Sequence, residues 1–507
     1  MITPGCLKST KFTGLFSGTS SALVFLQTLK SHRLHKILLL LWLLCSYTLS
    51  AQNIAPAQPS QQNDSLSKLH LRNITIDGNK KTKDYIILRE MQIKPGDSIV
   101  IANLTDELEI ARQHIYNLTL FVEVKLEPVI VSAFDFDIHI TVKERWYIFP
   151  LPELQFVDGT FNEWLVKYKG DLNRLNYGVK FVDYNLTGRK DQLRIHLLNG
   201  YTRTVSFSYQ APYANAALTN GFSVGGGYFQ NREMVYKTSY DNELVFYKRK
   251  DFVREAWEIQ LGYSIRRGLK LSHSFNLNYS HVSINDSVIS PSYNSAYFNK
   301  QVTSIGYVDL FYTLGYTDVN NVLYPLTGFS GSVGIGKRGL GLTGGVNVFF
   351  LDGEYNKYWS LGKKWYASAQ LRGNLKLPFK LAYINQQALG YGNNFIRGME
   401  YKIIDGVAFA ITKFNLKREI FNFHVNTIFK KSKTFSKIPF RIYAKTFADM
   451  GYSYNEGDFI SRLNNTFLGS AGVGIDIVTF YDIQIRIEYS VNQLGQKRLF
   501  LHNDKGF

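Results

Sequence analysis

A regular alternation of apolar and polar residues runs through the chain from about residue 171 to its end. Residues 483–492 (IQIRIEYSVN) are the clearest case, and residues 274–280 and 204–209 repeat the pattern. Because successive side chains of a strand point to opposite faces, a period of two predicts β-strands with one apolar and one polar face. No segment of this region has the three-and-four spacing of an amphipathic helix. An all-β domain is therefore predicted for residues 171–507.

Alternation alone does not separate a soluble sandwich from a membrane barrel, because both have one apolar face per strand. Three features favour the barrel: an export signal at the N-terminus, a high density of Tyr and Phe, and the terminal aromatic Phe507, which is typical of an outer-membrane strand. We count sixteen strands, from a first near Tyr177–Val182 to a last near Arg498–Phe507. An even number suits antiparallel closure with both chain ends on one side. The predicted fold class is a transmembrane antiparallel β-barrel.

Residues 1–51 are predicted to be a signal-containing presequence. The apolar core at residues 37–44 (ILLLLWLL) follows basic residues and is too short for a spanning helix, which needs about 20 apolar residues. Both cysteines of the chain, Cys6 and Cys45, lie in this segment, so the exported remainder has no thiol. A lipoprotein role for Cys45 is the less favoured alternative, since bulky residues precede it. Residues 52–68 are predicted to form a flexible linker.

The chain carries 58 Lys and Arg against 40 Asp and Glu, and five of the basic residues lie in the presequence. The remaining excess is scattered, which indicates a polar lumen and contact with anionic lipid headgroups, and no nucleic-acid partner. Residues 334–339 (GIGKRG) match a nucleotide-binding pattern, but strands flank them, so a glycine-rich turn is predicted. The histidines have no metal-ligand spacing, and no serine-nucleophile motif occurs. We expect no enzyme activity, no catalytic residue, no metal and no cofactor.

Residues 69–145 form a separate pattern of one strand, two helices and two further strands. One face of the resulting sheet would pack on the helices, and one sheet edge would stay free. This β-α-α-β-β order predicts a small α+β domain, which residues 146–170 connect to the barrel.

Two motifs in the barrel region carry chemistry. Residues 394–401 (NFIRGMEY) lie in a long connection, 378–405, between predicted strands eleven and twelve, and residues 447–451 (FADMG) lie on predicted strand thirteen. They resemble the (V/I)RG(F/Y) and FxDxG signatures of the BamA/TamA superfamily of POTRA-plus-barrel proteins. Residues 324–328 (YPLTG) resemble a further strand-turn motif of that family, and the N-terminal domain resembles a single POTRA unit.

The resemblance implies that the connection between strands eleven and twelve folds back into the lumen. A guanidinium can make paired, charge-assisted hydrogen bonds to a carboxylate, which would anchor such a loop. Asn415 aligns where relatives carry a Glu on strand twelve, and it is a candidate second partner. The predicted anchor of the lumen loop comprises Arg397, Gly398, Phe447, Asp449 and Gly451.

The resemblance also implies a function, the assembly or insertion of outer-membrane proteins through a lateral seam between the first and last barrel strands. Both strands alternate less cleanly than the interior ones, which is typical of a poorly sealed edge able to template another strand.

The expected location is the bacterial outer membrane, with the POTRA-like domain in the periplasm. Expected partners are unfolded outer-membrane or surface client proteins, the lipid bilayer, and periplasmic lipoproteins or chaperones. Two alternatives stay open: a two-partner-type secretion pore for a dedicated client, and a passive barrel that tethers a periplasmic partner.

Overall fold

The computed structural model describes residues 68–156, 169, 171–341, 345–427, 437–457 and 460–502. The predicted presequence, the predicted linker up to Ser67 and the terminal Phe507 lie outside the described residues. The rest divides into a small N-terminal domain and one large sheet.

The N-terminal domain is a four-stranded sheet with two helices on one face. Its strands have the order β2-β1-β4-β3, with β1 and β4 parallel and the other neighbours antiparallel. Edge strand β3 has no neighbour on its outer side among the described residues. The elements are β1 (Lys68–Asp77), α1 (Asp84–Leu88), β2 (Ser98–Val100), α2 (Ile101–Tyr116), β3 (Phe121–Ile130) and β4 (Asp135–Glu144).

Apolar side chains at alternate strand positions and along one helix face form the core of this domain. Ile86 and Ile87 of α1, together with Ile115 of α2, are fully buried against the sheet, where Phe136 and Ile138 are also fully buried. The observed order differs from the predicted one only by the three-residue strand β2 before the second helix. Within the part of the chain that the structure describes, no helix is long and apolar enough to cross a membrane.

Sixteen antiparallel strands form the large sheet, which confirms the predicted fold class and strand number. Neighbours follow chain order. The strands are β5 (Ile148–Phe156), β6 (Leu175–Asp183), β7 (Gln192–Gly200), β8 (Thr202–Ala211), β9 (Asn220–Asn231), β12 (Arg254–Arg267), β13 (Leu271–Ile284), β14 (Ser304–Val319), β15 (Gly328–Arg338), β16 (Val348–Gly362), β17 (Trp365–Leu377), β20 (Ala408–Asn426), β21 (Lys437–Tyr454), β22 (Phe467–Val478), β23 (Gln484–Asn492) and β24 (Lys497–His502).

Short elements occupy the connections between these strands. Two of these connections contain a separate two-stranded sheet. One pairs β10 (Glu233–Thr238) with β11 (Leu244–Lys248), and the other pairs β18 (Gln387–Leu389) with β19 (Ile404–Asp405). Single 3-10 turns span Leu172–Arg174, Asp286–Ile289, Tyr383–Asn385 and Phe480–Asp482.

The polarity of the sheet is the reverse of that of a soluble protein. In β23, the polar residues Gln484, Arg486, Glu488, Ser490 and Asn492 are buried, and the apolar residues between them are exposed. Apolar side chains that face outward and polar ones that face inward are the pattern of a membrane barrel, because lipid is the outer solvent. The N-terminal domain contacts Asp183 of β6 and Asp482 just before β23, so both ends of the sheet curve round to the same mouth.

The first barrel strand was predicted incorrectly. It is β5, Ile148–Phe156, inside the segment assigned as connector 146–170, and Tyr177–Val182 belongs to the second strand. Its sequence, IFPLPELQF, holds two prolines, which argue against an interior strand because proline has no N–H to donate. Strand β5 is an end of the sheet, so it needs hydrogen bonds on one side only, and its ladder with β6 is continuous through Pro150 and Pro152.

Candidate functional site

The connection between the eleventh strand, β17, and the twelfth, β20, enters the barrel. Its central residue, Arg397, is 1% exposed and is the largest fully buried side chain in the described part of the chain. A tight turn precedes Arg397, in which the backbone N–H of Gly390 donates to the carbonyl of Asn394 at 2.7 Å. The loop therefore presents its arginine to the inner wall.

Asp449 on the thirteenth strand, β21, accepts hydrogen bonds from Arg397 with both of its carboxylate oxygens. The backbone N–H and Nε of Arg397 donate to Oδ2 at 3.0 and 2.9 Å, and Nη2 donates to Oδ1 at 2.5 Å. Both side chains are almost fully buried. A two-pronged, charge-assisted contact of this kind fixes the orientation of the guanidinium as well as its position.

The structure also brings Asn415 and Phe447 to the arginine. Nη1 donates to the Asn415 side-chain oxygen at 2.6 Å, and the guanidinium lies over the Phe447 ring at 4.1 Å from its centre. Asn415 in turn donates to the Ser368 hydroxyl of β17 at 3.1 Å. The amide therefore occupies the twelfth-strand position predicted for a second partner, and it connects Arg397 to two neighbouring strands.

The two glycines of the predicted anchor make room for the loop. Gly398 has a φ of +87°, and a Cβ there would lie 2.8 Å from the Ser490 hydroxyl. A Cβ on Gly451 would lie 2.7 Å from the Cδ1 of Ile396, a buried loop side chain. Glycine is thus needed at the first position for its backbone conformation and at both for close approach.

Glu488 on β23 is an additional partner that sequence reasoning did not identify. Its carboxylate lies 3.5 Å from Nη1 of Arg397, 2.6 Å from Nζ of Lys445 and 2.9 Å from Nδ1 of His502. It is the one acidic residue on the inward face of β23, which is the signal that could have indicated it. Because His502 lies on the last strand, β24, Glu488 connects the loop anchor to one end of the sheet.

Two aromatic contacts join the loop to β24 directly. The Phe395 ring stacks on His502 with centroids 5.7 Å apart, and the Tyr401 ring lies 5.6 Å from that of Phe500. Residues on either side of Arg397 therefore hold the terminal strand, in addition to the hydrogen bond between Glu488 and His502.

Two charged clusters help to fasten the N-terminal domain to the near mouth of the barrel. At the first, Glu90 accepts hydrogen bonds from Nη1 and Nη2 of Arg266 at 2.6 and 2.9 Å, and it also contacts Arg89 and Tyr213. Burial opposes ionisation, but the hydrogen bonds from Arg266 and the positive charges of Arg266, Lys190 and Arg89 together outweigh it and lower the pKa of Glu90.

At the second point the carboxylate belongs to the barrel. Asp482 accepts from the Tyr116 hydroxyl at 2.7 Å and forms ion pairs with Arg145 and Arg441 at 3.3 and 2.8 Å. Burial, together with Asp482, raises the pKa of Tyr116 to about 12. Both fastening points are thus charged hydrogen-bond clusters with little exposure to solvent.

A barrel with an inward-folded, anchored loop and one α+β domain at its mouth defines an outer-membrane-type barrel protein with a POTRA domain. Residues 69–145 match the POTRA family model, described as a surface antigen variable number repeat. The POTRA match and the similarity to a BamA relative confirm the resemblance to the BamA/TamA superfamily drawn from the motifs.

Individual relatives are distant. The chain is 24% identical over 288 residues to the outer membrane protein assembly factor BamA of Neorickettsia risticii (strain Illinois), an alignment that covers 57% of this chain and 34% of that relative. Among solved structures, BamA from Haemophilus ducreyi lacking POTRA domains 1–3 has 16% identity and a TM-score of 0.46, over 85% of this chain and 83% of that one. CdiB from Escherichia coli has 10% identity and a TM-score of 0.49, over 87% and 75%.

Proposed function

We propose that this protein assembles or inserts outer-membrane or surface proteins by offering the open edge between β5 and β24 to an incoming strand. It would act in the outer membrane with its POTRA domain in the periplasm, and the activity requires no cofactor or nucleotide. The observation that carries the proposal is that no ladder pairs β5 with β24 among the described residues.

The prolines of β5 support a weak seam. Pro150 and Pro152 are two residues apart, so their backbone groups point to the same edge of β5. The ladder to β6 runs through both prolines without a break, so the edge that lacks their N–H groups is the one that faces away from β6. An edge that lacks two successive donors cannot form a full ladder with β24, which itself has only six described residues. A client strand with its own unpaired groups could therefore compete for this edge.

The free edge of the POTRA sheet supports a second contact with clients. Strand β3 pairs with β4 on one side only, and Val129, Ile130 and the neighbouring Val131 are exposed there. An extended segment of an unfolded client could add to this edge before it reaches the barrel.

Site-specific photocross-linking tests the seam. We would place a photoreactive residue at Leu151 of β5, at Leu499 of β24, at Gln370 on the inner wall, and at Val333, an outward-facing residue of β15 far from the seam in strand order. Client adducts at Leu151 and Leu499 but not at Val333 are expected. Adducts at Gln370 instead would indicate passage through the lumen, as in a secretion pore, and would contradict the proposal.

Depletion followed by quantitative proteomics of the outer membrane tests the breadth of the activity. Loss of many barrels from the membrane is expected of a general assembly factor. Loss of one secreted or surface protein with the other barrels intact would favour a dedicated translocator, and no loss at all would favour a passive tether.

A further inference from the structure

A polar cavity of about 290 Å³ lies inside the barrel between the lumen loop and the inner wall. Asn393 and Phe395 of the loop form one side, β16, β17, β20, β21 and β23 form the other, and residues 322–325 between β14 and β15 complete the lining. Amide side chains of Asn356, Gln370 and Asn415 line it. One carboxylate, Glu354, lies in the lining, against five cationic side chains: Arg372, Lys413, Lys417, Lys445 and Arg486.

Lys413 of β20 is the unusual member of this set. It is 3% exposed, and among the described residues its ammonium makes no hydrogen bond or ion pair, only a contact with the Phe395 ring at 4.5 Å from the ring centre. A buried ammonium without a compensating charge is costly, and the cost is removed when a counter-ion binds.

Three of the other cations have carboxylate partners. Lys445 lies 2.5 Å from Asp476, Lys417 lies 3.2 Å from the same residue, and Arg372 lies 3.6 Å from Glu354. These pairs balance much of the charge behind the cavity wall. Within the described part of the chain, the Lys413 ammonium faces the cavity without a direct ion pair, because the carboxylate of its cross-strand neighbour, Asp449, is held by Arg397.

We propose that this cavity binds a phosphate group. A tetrahedral dianion can accept hydrogen bonds from several directions, which suits a lining of separate ammonium, guanidinium and amide donors better than it suits a planar carboxylate. The volume is several times that of a water molecule, about 30 Å³, so a phosphate with a small ester substituent fits as well as the free ion. The source is either inorganic phosphate or the phosphate monoester of a lipid headgroup.

A bound phosphate would contact the loop and the wall at once, because Asn393 and Phe395 belong to the loop and Lys413 to β20. Arg397 itself does not line the cavity and keeps its contact with Asp449. The site is therefore distinct from the pair formed by Arg397 and Asp449, although Asn415 contacts Arg397 and also lines the cavity.

Equilibrium dialysis of the full-length protein in a non-ionic detergent tests this, with radiolabelled inorganic phosphate as the probe and with short-chain phosphatidic acid as a competitor. Saturable binding of one phosphate per chain is expected. Lys413→Met should weaken it by about tenfold or more, the value of one charged hydrogen bond, and Lys413→Arg should restore it to within about threefold. Displacement by low concentrations of phosphatidic acid would identify a lipid source, and no displacement would identify the free ion.

Two further variants make the result independent of any folding defect at Lys413. Asn393→Asp adds a carboxylate at an exposed loop position of the lining and should also weaken binding by about tenfold. Lys357→Met removes a cation from the opposite face of β16, beside Phe329, and should leave binding unchanged. No saturable binding of either probe, wild-type binding in both Lys413→Met and Asn393→Asp, or displacement only by a glutamate-rich peptide would overturn the proposal.

Discussion

Nη1 of Arg397 in the lumen loop lies 3.5 Å from Oε1 of Glu488 on the penultimate strand, and both side chains are almost fully buried. Glu488 also accepts from His502 of the last strand, so the loop anchor and the end of the sheet share one carboxylate. The position of the loop and the stability of the terminal strand are therefore expected to depend on each other.

Glu488→Gln should loosen β24. The substitution removes the negative charge that Arg397, Lys445 and His502 contact, and breaking a buried ion pair typically costs about 3–5 kcal/mol. Hydrogen exchange measured by mass spectrometry should become faster in peptides that cover Lys497–His502. Glu354→Gln, which removes an inward carboxylate paired with Arg372 elsewhere in the barrel, is the control. Equal acceleration in both variants would show that Glu488 has no special relation to β24.

Arg397→Ala should release the loop without unfolding the barrel. Asp449 would remain buried without its partner, at a cost of about 3–5 kcal/mol, and the loop would lose its main attachment to the wall. Protease treatment of the folded protein should then cut within residues 378–405. Arg418→Ala removes an arginine that lies over Trp365 and is the matched control. A loop that stays protected in Arg397→Ala would refute its role as the anchor.

Gly398→Ala should destabilise the loop more than Gly392→Ala does. Both glycines have positive φ, which costs a non-glycine residue about 1–2 kcal/mol, but only Gly398 faces a close neighbour, the Ser490 hydroxyl. Protease protection of residues 378–405 compares the two variants. Adding Ser490→Gly to Gly398→Ala should recover part of the loss. If the double variant is no better than the single one, close approach at Ser490 is not the reason for the glycine.

Glu90→Gln should loosen the contact of the POTRA domain with the barrel at Arg266, while the Asp482 cluster stays intact. Arg266 and Arg89 would lose their shared carboxylate, at a cost of about 3 kcal/mol for a buried pair. Hydrogen exchange should rise at the contact turns around Tyr213 and Arg266. Glu109→Gln, which affects an exposed pair with Arg112 on α2, should change little.

The same contact gives a pH dependence with a defined sign. The pKa of Glu90 is lower in the docked state than in a free carboxyl group, so docking stabilises the protein fully above the ordinary carboxyl pKa. That stabilisation is lost as the pH falls through the lowered value. The rate of hydrogen exchange around Arg266 should therefore increase on acidification in the wild type, and it should increase much less in Glu90→Gln. An identical acid response in the two proteins would exclude Glu90 as its source.

Pro150→Ala combined with Pro152→Ala should tighten the seam. The change restores two N–H donors on the outer side of β5, each able to contribute about 1 kcal/mol if β24 pairs with them. Slower exchange in β24 and slower client assembly are the expected results. Pro439→Ala, at an interior strand of the sheet, is the control for general effects of proline removal. Unchanged assembly with a tightened β24 would separate the seam from the activity.

The sequence predicted most of the barrel and of the loop anchor. Period-two alternation is a local property, because the backbone of a strand sends successive side chains to opposite faces wherever the strand ends up. It therefore identified strands such as β23 and which of their faces is polar. The motifs around Arg397 and Asp449 also placed two residues together that are 52 positions apart, because a family pattern records tertiary contact.

Strand β5 was missed because its evident signals, two prolines and weak alternation, describe a connector as well as they describe an edge strand. Only its place at an end of the sheet, where one set of N–H groups needs no partner, makes those prolines compatible with a ladder.

The sequence by itself determined the fold class, the inward polar face and the pair formed by Arg397 and Asp449. The tertiary structure decided that Glu488 joins that pair to His502, that Glu90 meets Arg266, and that Lys413 faces a cavity in which it has no ion-pair partner among the described residues. The physical reason is that these contacts depend on strand register and on the curvature of the whole sheet. Both properties arise from the packing of many strands at once, and no single stretch of residues encodes them.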